Sequence, residues 1–466
     1  MGRLPFIVTL RYDNPTDDFA PYAPLHDSFF LDSSMSTPGQ GRFSFWGYNP
    51  KIKFSSRGGF VTLQGHTTIG SPYLALKDLY QKIVNLPMDP YLPFSGGLVG
   101  FLGYEWGAAL ENIPAVTNGD SISTPDCRFG LYDTIVSYDY LEGTCWVSSW
   151  GLDENLECDE DLAKERAEKL AEHLEAMRRI KSYSSDIGHR TSNNPEFRSS
   201  FNKESYIRAV GRVMDYLRAG DCYQVNLSQR FMAAAPFSPW EQYLRLRKNS
   251  PAPYSSFLQC ESFQILSTSP ECFLHAKADG EMVTRPIKGT RKRGENPIED
   301  LKLRNELLNS PKDNAELLMI TDLERNDFGK ICVPGSVEVP QLQGIETFAQ
   351  VHHLLSTVKG KRRSDLDVID CLAALSPGGS ITGAPKIRSM QIIQELETCP
   401  RGVYTGAIGW IGPNNTAHFN IAIRTMILQD ATAFFHAGGG IVIDSDPEAE
   451  YEETLTKAKG MFEALI

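Results

Sequence analysis

The chain has 466 residues, 41% hydrophobic and 22% charged, which is enough apolar material for an extensive core and too much for a disordered or fibrous protein. Its 46 Lys and Arg stand against 58 Asp and Glu, a formal net charge of −12 that argues against a general nucleic-acid coat but leaves room for an anionic small substrate at a locally basic site. The nine cysteines are an odd number without a C-x-x-C pair, so zinc ribbons and thioredoxin-type motifs have no support, and scattered thiols fit a reducing, cytoplasmic setting.

The first region, 1–180, opens on Met1–Leu10, which has no long apolar stretch ending in a small-residue cleavage site, so no signal peptide is expected. No run of about 18 apolar residues follows anywhere, so no membrane span is expected. Short apolar stretches such as Phe60–Leu63 and Thr134–Tyr140, separated by Gly, Pro, Asn and Asp, predict strands. The glycines of Gly96–Gly103 lack the spacing of a dinucleotide or phosphate loop, and a strand closely approached by its neighbours is the better reading. Over 152–180, Ala163, Ala167, Leu170, Leu174 and Met177 recur at three- and four-residue spacings between charged residues, predicting an amphipathic helix. The Ser- and Asn-rich stretch 181–195 reads as a linker, and the second region runs over 196–466.

That second region alternates helices and strands. Phe201–Ala219 predicts a helix stopped by Gly220, and Ser262–Ser267 and Ala431–Ile443 predict strands. Arg285-Pro286-Ile287-Lys288-Gly289-Thr290-Arg291-Lys292-Arg293 is a basic segment in an acidic chain. A solvated loop is its plain reading, but Pro286-Ile287 would fix the direction of Lys288. A lysine with its usual pKa of about 10.4 is only ~0.1% neutral near neutral pH. Burial, or neighbouring cations such as Arg285, would lower that pKa and supply a nucleophilic amine.

Ser310, Pro311 and Asp313 read as N-cap, first helical residue and a shortened capping box. In the helix that follows, Glu316 stands one turn before Ile320, at the edge of a partly apolar face. His352 and His353 are adjacent and point apart in any regular element, so a metal pair is not expected, though one could carry a proton. Arg424 lies in an apolar run and calls for an anionic partner. Gly438–Gly440 interrupt a predicted strand, where either a bulge or turn or a ligand at the backbone amides would explain them. Glu448–Leu465 predicts the last helix, with Glu450, Glu453 and Lys457 on one face. Two carboxylates from two helices could hold Mg²⁺, although a surface Glu453–Lys457 pair explains them equally.

Taken together these stretches resemble the chorismate-utilising enzymes. The matching segments are Gly220-Asp221-Cys222-Tyr223-Gln224-Val225-Asn226-Leu227-Ser228, Thr268-Ser269-Pro270-Glu271, Pro286-Ile287-Lys288-Gly289-Thr290 and Asp322-Leu323-Glu324-Arg325-Asn326-Asp327. They continue with Thr382-Gly383-Ala384-Pro385-Lys386, Tyr404-Thr405-Gly406-Ala407, Ile423-Arg424-Thr425, Gly438-Gly439-Gly440-Ile441 and Glu453-Thr454-Leu455-Thr456-Lys457. The resemblance implies one large α/β fold of the α+β type, with two mainly antiparallel sheets enclosed by helices. It implies Lys288 as nucleophile, Glu271 as general acid and His353 near the departing hydroxyl. It implies Mg²⁺ on Glu316 and Glu453, with Glu450 acting through water. Tyr404, Arg424 and Gly438, Gly439 and Gly440 would hold the enolpyruvyl carboxylate, Lys457 a substrate carboxylate, and Thr425 and Thr382 would add contacts.

Within the family, anthranilate synthases usually carry alanine where this chain has Lys288, and isochorismate synthases a lysine base at the position of Gln224. Both positions imply amination of chorismate at C4, giving 4-amino-4-deoxychorismate for 4-aminobenzoate and folate synthesis. The alternative is anthranilate formation. The cysteines lack the Gly-x-Cys-x-Gly elbow of a glutaminase, so ammonia from a glutamine amidotransferase subunit is implied. Ser33, Pro251 and Tyr254 fall where relatives bind tryptophan, although the second motif usually begins with Asn and here begins with Ser250.

Overall fold

The computed structural model describes residues 5–35, 40–116, 122–180, 195–348 and 351–466. Short β-rich segments broken by turn residues assemble into two antiparallel sheets of twelve strands each. The linker expected over 181–195 lies, apart from Pro195, outside the described residues.

Both sheets draw strands from both ends of the chain. In the first, Ser28–Asp32 pairs with Tyr254–Gln259, with Phe30 opposite Phe257. Gln264–Ser269, Thr425–Gln429, Thr432–Ile441 and Gln224–Ala234 follow in that order. In the second, Gly97–Leu102 pairs with Ala407–Ile411 on one side and Cys127–Tyr132 on the other. At the far end of this sheet Ile287–Lys292 pairs with Val351–Lys361. The sheets meet through a cluster built from both: Phe29, Phe45, Ile265 and Ile427 from the first, Val99, Phe101, Ile408 and Trp410 from the second. Each such buried side chain contributes about 1.5–3 kcal/mol relative to leaving it in water.

Helices cover the outer faces. Glu160–Ile180 lays Ala167, Leu170 and Leu174 on the first sheet, in the same cluster as Trp46 and Tyr138. The periodicity predicted this helix from 152, but it starts at Glu160; Leu152 instead bridges to Cys158, and the Leu162 amide donates to Asp159 Oδ1 at 2.9 Å. Lys203–Arg218 is capped by Asn202 and ends before Gly220, whose φ is +80°. Pro447–Ala464 packs against Thr432–Ile441. Gly97–Leu102 is the expected crowded strand: a Cβ on Gly100 would lie 1.9 Å from the Arg128 carbonyl oxygen. Among the described residues no helix is long and apolar enough to cross a membrane.

Two local readings are corrected. Ser310 does cap the helix Pro311–Ile331, but the reciprocal half of the capping box is missing, because Asp313 turns its carboxylate to Arg291 at 2.9 Å. Gly438–Gly440 make neither a bulge nor a turn: the strand runs through them in unbroken register, Gly438 opposite Ser228 and Gly440 opposite Asn226. On the other side the partner strand reaches only Phe435, so among the described residues that edge has no strand partner from His436 onward.

Candidate active site

Two chain crossings between the sheets build the centre of the site. Gln264–Ser269 belongs to the first sheet and Cys272–Ala276 to the second, and Pro270-Glu271 is the link. Ala417–Ile421 and Thr425–Gln429 belong to opposite sheets too, and Arg424 lies in that link with φ +50°. The links run side by side: the Ile421 amide donates to Glu271 O at 3.0 Å, and the Thr268 amide to Arg424 O at 3.1 Å. A carboxyl and a guanidinium are thereby fixed where the chain passes from one sheet to the other.

Glu271 is buried, and burial pushes its carboxyl up to about 7, against hydrogen bonding from Ser380 and the charge of Lys288. Lys288 sits beside a break in register between Lys288 and Thr290, where Gly289 adopts φ +76°; a bulge of this kind re-aims the side chains around it. The Lys288 ammonium approaches Ser380 O at 3.5 Å. Burial lowers its pKa and Lys457 pushes the same way, while Glu316, Glu271 and Glu453 oppose. Arg285, expected to be the neighbouring cation, is ion-paired with Glu346, so Lys457 takes that part. His353 bonds Thr290 Oγ1 through Nδ1 at 2.8 Å, and burial, reinforced by Arg424, lowers it to about 3, so it is neutral. His352 turns away, as adjacent strand residues must, to Thr347 at 2.9 Å and Asp300 at 3.0 Å.

Arg424 has no salt bridge or side-chain hydrogen bond to any described residue, and burial lowers its pKa. An uncompensated guanidinium in such a place is able to accept an anion. Nearby, Tyr404 stacks on His436 with ring centres 5.0 Å apart, and burial raises the phenol to about 12. Both ring nitrogens of His436 lack a partner among the described residues, as do both amide atoms of buried Gln224. A Cβ on Gly440 would stand 1.8 Å from Gln224 Nε2, so any larger residue there would displace that side chain. Thr425 bonds Ser267 at 2.8 Å and Thr382 donates to Gly378 O at 2.9 Å, so both hydroxyls also brace their own loops.

The helices bring the carboxylates. Glu316 is half-buried and raised by burial, to which the Glu453 carboxylate adds. Glu450 is buried, accepts from Ser445 Oγ at 2.6 Å, and is raised by burial. Burial also pushes Glu453 up, but Lys457, at 2.6 Å, brings it below its usual value. Lys457 also donates to Gly438 O at 3.0 Å. A Cβ on Gly439 would lie 3.0 Å from Glu450 Oε2 and 3.2 Å from Glu453 Oε1, so the two acids lie against this glycine. Among the described residues no three His, Cys, Asp or Glu side chains are gathered closely enough to cage a metal alone. Half-desolvated, mutually repelling carboxylates instead fit a Mg²⁺ that takes one or two of them and completes its shell with substrate oxygens.

The expected tryptophan residues are brought together, and Tyr254 pairs with Ser269 on the strand that leads into Glu271. Ser33 Oγ donates to Phe43 O at 2.6 Å and Pro253 O at 3.3 Å, Ser34 Oγ to Ala252 O at 2.9 Å next to Pro251, and Tyr254 meets the edge of His418 at 5.2 Å. Sequence reasoning assigned no role to Ser380, Glu324, Arg401 or His436. For Glu324 a signal existed: Ile320, Glu324 and Phe328 recur every four residues, and the two apolar members are fully buried.

A family model described as chorismate binding enzyme matches residues 36–463. Aminodeoxychorismate synthase component 1 of Bacillus subtilis (strain 168) is 36% identical, covering 91% of this chain and 89% of its own. Anthranilate synthase component 1 of Pseudomonas aeruginosa is also 36% identical, covering 99% and 95%. Among solved structures, anthranilate synthase component I from Streptococcus pneumoniae TIGR4 superposes with a TM-score of 0.77 at 34% identity, covering 92% of this chain and 93% of that one.

Proposed function

The chain belongs to the chorismate binding enzyme family, and from that premise we propose that it is an aminodeoxychorismate synthase component 1, joining chorismate and ammonia to give 4-amino-4-deoxychorismate and water. The observation that carries the proposal is the Lys288–Ser380–Glu271 arrangement: an amine with lowered proton affinity that approaches Ser380 O at 3.5 Å, and a carboxyl raised to about 7 near both.

In this reading Glu271, protonated, gives its proton to the C4 hydroxyl, which leaves as water. The neutral Lys288 amine attacks C2, the ring double bonds shift, and a C2–N bond forms as the C4–O bond breaks. Ammonia then attacks C4, the double bonds shift back, and Lys288 departs with a proton released by the incoming nitrogen. Neutral His353 lies beside the departing hydroxyl. Arg424, Tyr404 and the Gly438–Gly440 backbone hold the enolpyruvyl carboxylate, with Thr425 and Thr382 supporting, and Lys457 meets a substrate carboxylate. Glu316 and Glu453, with Glu450 through water, would hold Mg²⁺, whose charge would counter the ring carboxylate. Ammonia would come from a separate glutaminase subunit in the cytoplasm, and the product would feed 4-aminobenzoate and folate synthesis.

The test is mass spectrometry of the product from purified chain, chorismate, Mg²⁺ and an ammonium salt. Aminodeoxychorismate from the wild type, with a Lys288→Ala variant diverted toward amination at C2, is the expected pair of results. Anthranilate and pyruvate from the wild type would overturn the assignment and leave Lys288 without its role.

A further inference from the structure

Behind the pair Glu271 and Lys288 stands a second buried acid that the reaction scheme does not use. Glu324 lies on the helix Pro311–Ile331, on the face it shares with Ile320 and Phe328, and is 5% exposed. Its Oε1 accepts from the Gly379 amide at 3.1 Å. Gly379 opens the short 3₁₀ turn Gly379–Ile381, and the helix presses directly on it: a Cβ there would lie 2.8 Å from Leu323 Cδ2 and 3.1 Å from Glu324 Oε1.

The next residue in the turn is Ser380, which reaches both members of the pair. Its side chain stands close enough to Glu271 to lower that acid against burial, and its carbonyl accepts from Lys288 at 3.5 Å and from Asn226 Nδ2 at 3.4 Å. The other end of the turn is closed by Thr382 Oγ1 donating to Gly378 O at 2.9 Å.

Glu324 is not there for an ion pair. The lysines of this region belong to its helix neighbour Asp327: Lys386 is ion-paired with it, and Lys330 stands 2.9 Å from it. Burial raises Glu324 to about 7, Asp327 and Glu271 add to this, and Lys386 and the Gly379 amide oppose. A buried acid with one backbone donor and no cation of its own costs free energy to fold around. What that cost secures is the place of the turn.

We propose that Glu324 is a positioning residue for the reaction: by accepting from the Gly379 amide it holds the Gly379–Ile381 turn so that Ser380 meets Glu271 and Lys288 at once. The inference rests on the roles proposed above for those two residues. A misplaced Ser380 would slow the chemical steps more than it weakens chorismate binding, because Arg424, Tyr404 and the Gly438–Gly440 backbone lie on other elements and only the supporting Thr382 borders the turn.

The test uses the full chain with chorismate, Mg²⁺ and ammonium, comparing Glu324→Leu, Glu324→Gln and Ser380→Ala with wild type. Glu324→Leu should lower kcat by about 10–100-fold with KM for chorismate within about twofold. Glu324→Gln keeps an oxygen for the Gly379 amide and should stay within about threefold of wild-type kcat. Should Glu324→Leu not fold, Ser380→Ala carries the test with the same expected fall in kcat alone. Wild-type kcat in Glu324→Leu, or equal losses in the Leu and Gln variants, would overturn the inference, as would wild-type kcat in Ser380→Ala. A wild-type chain that leaves chorismate unchanged overturns the roles of Glu271 and Lys288 and this inference with them. An active wild type beside an equally active Glu324→Leu overturns the inference alone.

Discussion

Two groups within the site have had their proton affinities moved in opposite directions by one cause. Burial disfavours charge, so it raises the Glu271 acid to about 7 and lowers the Lys288 ammonium. Each group is thereby pushed toward the form the chemistry requires, a protonated acid and a neutral amine. The sign of the pH dependence follows. Activity needs Glu271 with its proton, so kcat/KM for chorismate, with ammonia saturating, should fall as pH rises through about 7. It should fall again toward acid pH as Lys288 takes up a proton. Glu271→Gln should lower kcat by about 10²–10⁴-fold and remove the alkaline limb. A kcat/KM that stays level through pH about 7 in the wild type would exclude Glu271 as the acid. Residue order anticipated the Lys288 shift only on the condition of burial, and the Glu271 shift not at all, because burial comes from the crossing of two sheets. What order did carry was identity: Glu271, Lys288 and Arg424 stand in the segments that carried the resemblance to the chorismate-utilising enzymes.

At the level of single elements, the strands expected at Phe60–Leu63, Thr134–Tyr140 and Ser262–Ser267 and the helices expected over Phe201–Ala219 and Glu448–Leu465 lie within about two residues of the observed ones. Sequence periodicity failed where a backbone neighbour decides the outcome. The run 152–159 has helical composition, yet the Leu152–Cys158 bridge and the Asp159 cap hold the helix start at Glu160. Gly438–Gly440 looked like an interruption, yet they are strand: a Cβ on Gly438 would strike the Leu227 carbonyl oxygen at 2.4 Å, and Cβ atoms on Gly439 and Gly440 would crowd Glu450, Glu453 and Gln224. Glycines thus carry opposite meanings according to what surrounds them. Gly100 faces Gly409 across two paired strands, and a Cβ at either would strike a backbone oxygen, at 1.9 Å and 2.0 Å. Gly211 lies inside the helix Lys203–Arg218 with nothing within 4 Å of an added Cβ. Gly100→Ala should therefore destabilise the chain by about 1–3 kcal/mol or more, since a backbone carbonyl yields little. Gly211→Ala should stabilise it by about 0.5–1 kcal/mol through helix propensity. Urea unfolding midpoints would check both; a Gly100→Ala midpoint equal to wild type would mean the sheet absorbs the methyl and that the close approach has no energetic weight.

For the molecule as a whole, the composition change near residue 195 invites a division into two units, and the strand order resists it. Ser28–Asp32 and Phe43–Gly47 continue the first sheet beyond Tyr254–Gln259, and Gly97–Leu102 continues the second beyond Ala407–Ile411. The cluster between the sheets takes Phe29, Phe45, Val99 and Phe101 from the N-terminal side and Ile265, Ile408, Trp410 and Ile427 from the C-terminal side. Residues 195–466 alone would hold every side chain proposed to touch chorismate or Mg²⁺, yet they would bare one long edge in each sheet and half of that cluster. Open apolar edges pair with other chains. The isolated segment 195–466 should therefore aggregate, or show strand content in far-ultraviolet circular dichroism without a cooperative melt, and should not turn over chorismate. The crossings that carry Glu271 and Arg424 depend on both sheets being complete, so loss of activity and loss of cooperative folding are expected together. A soluble 195–466 fragment with a sharp thermal transition would show that the first 180 residues only decorate a self-sufficient catalytic unit, and the shared-sheet account would fall.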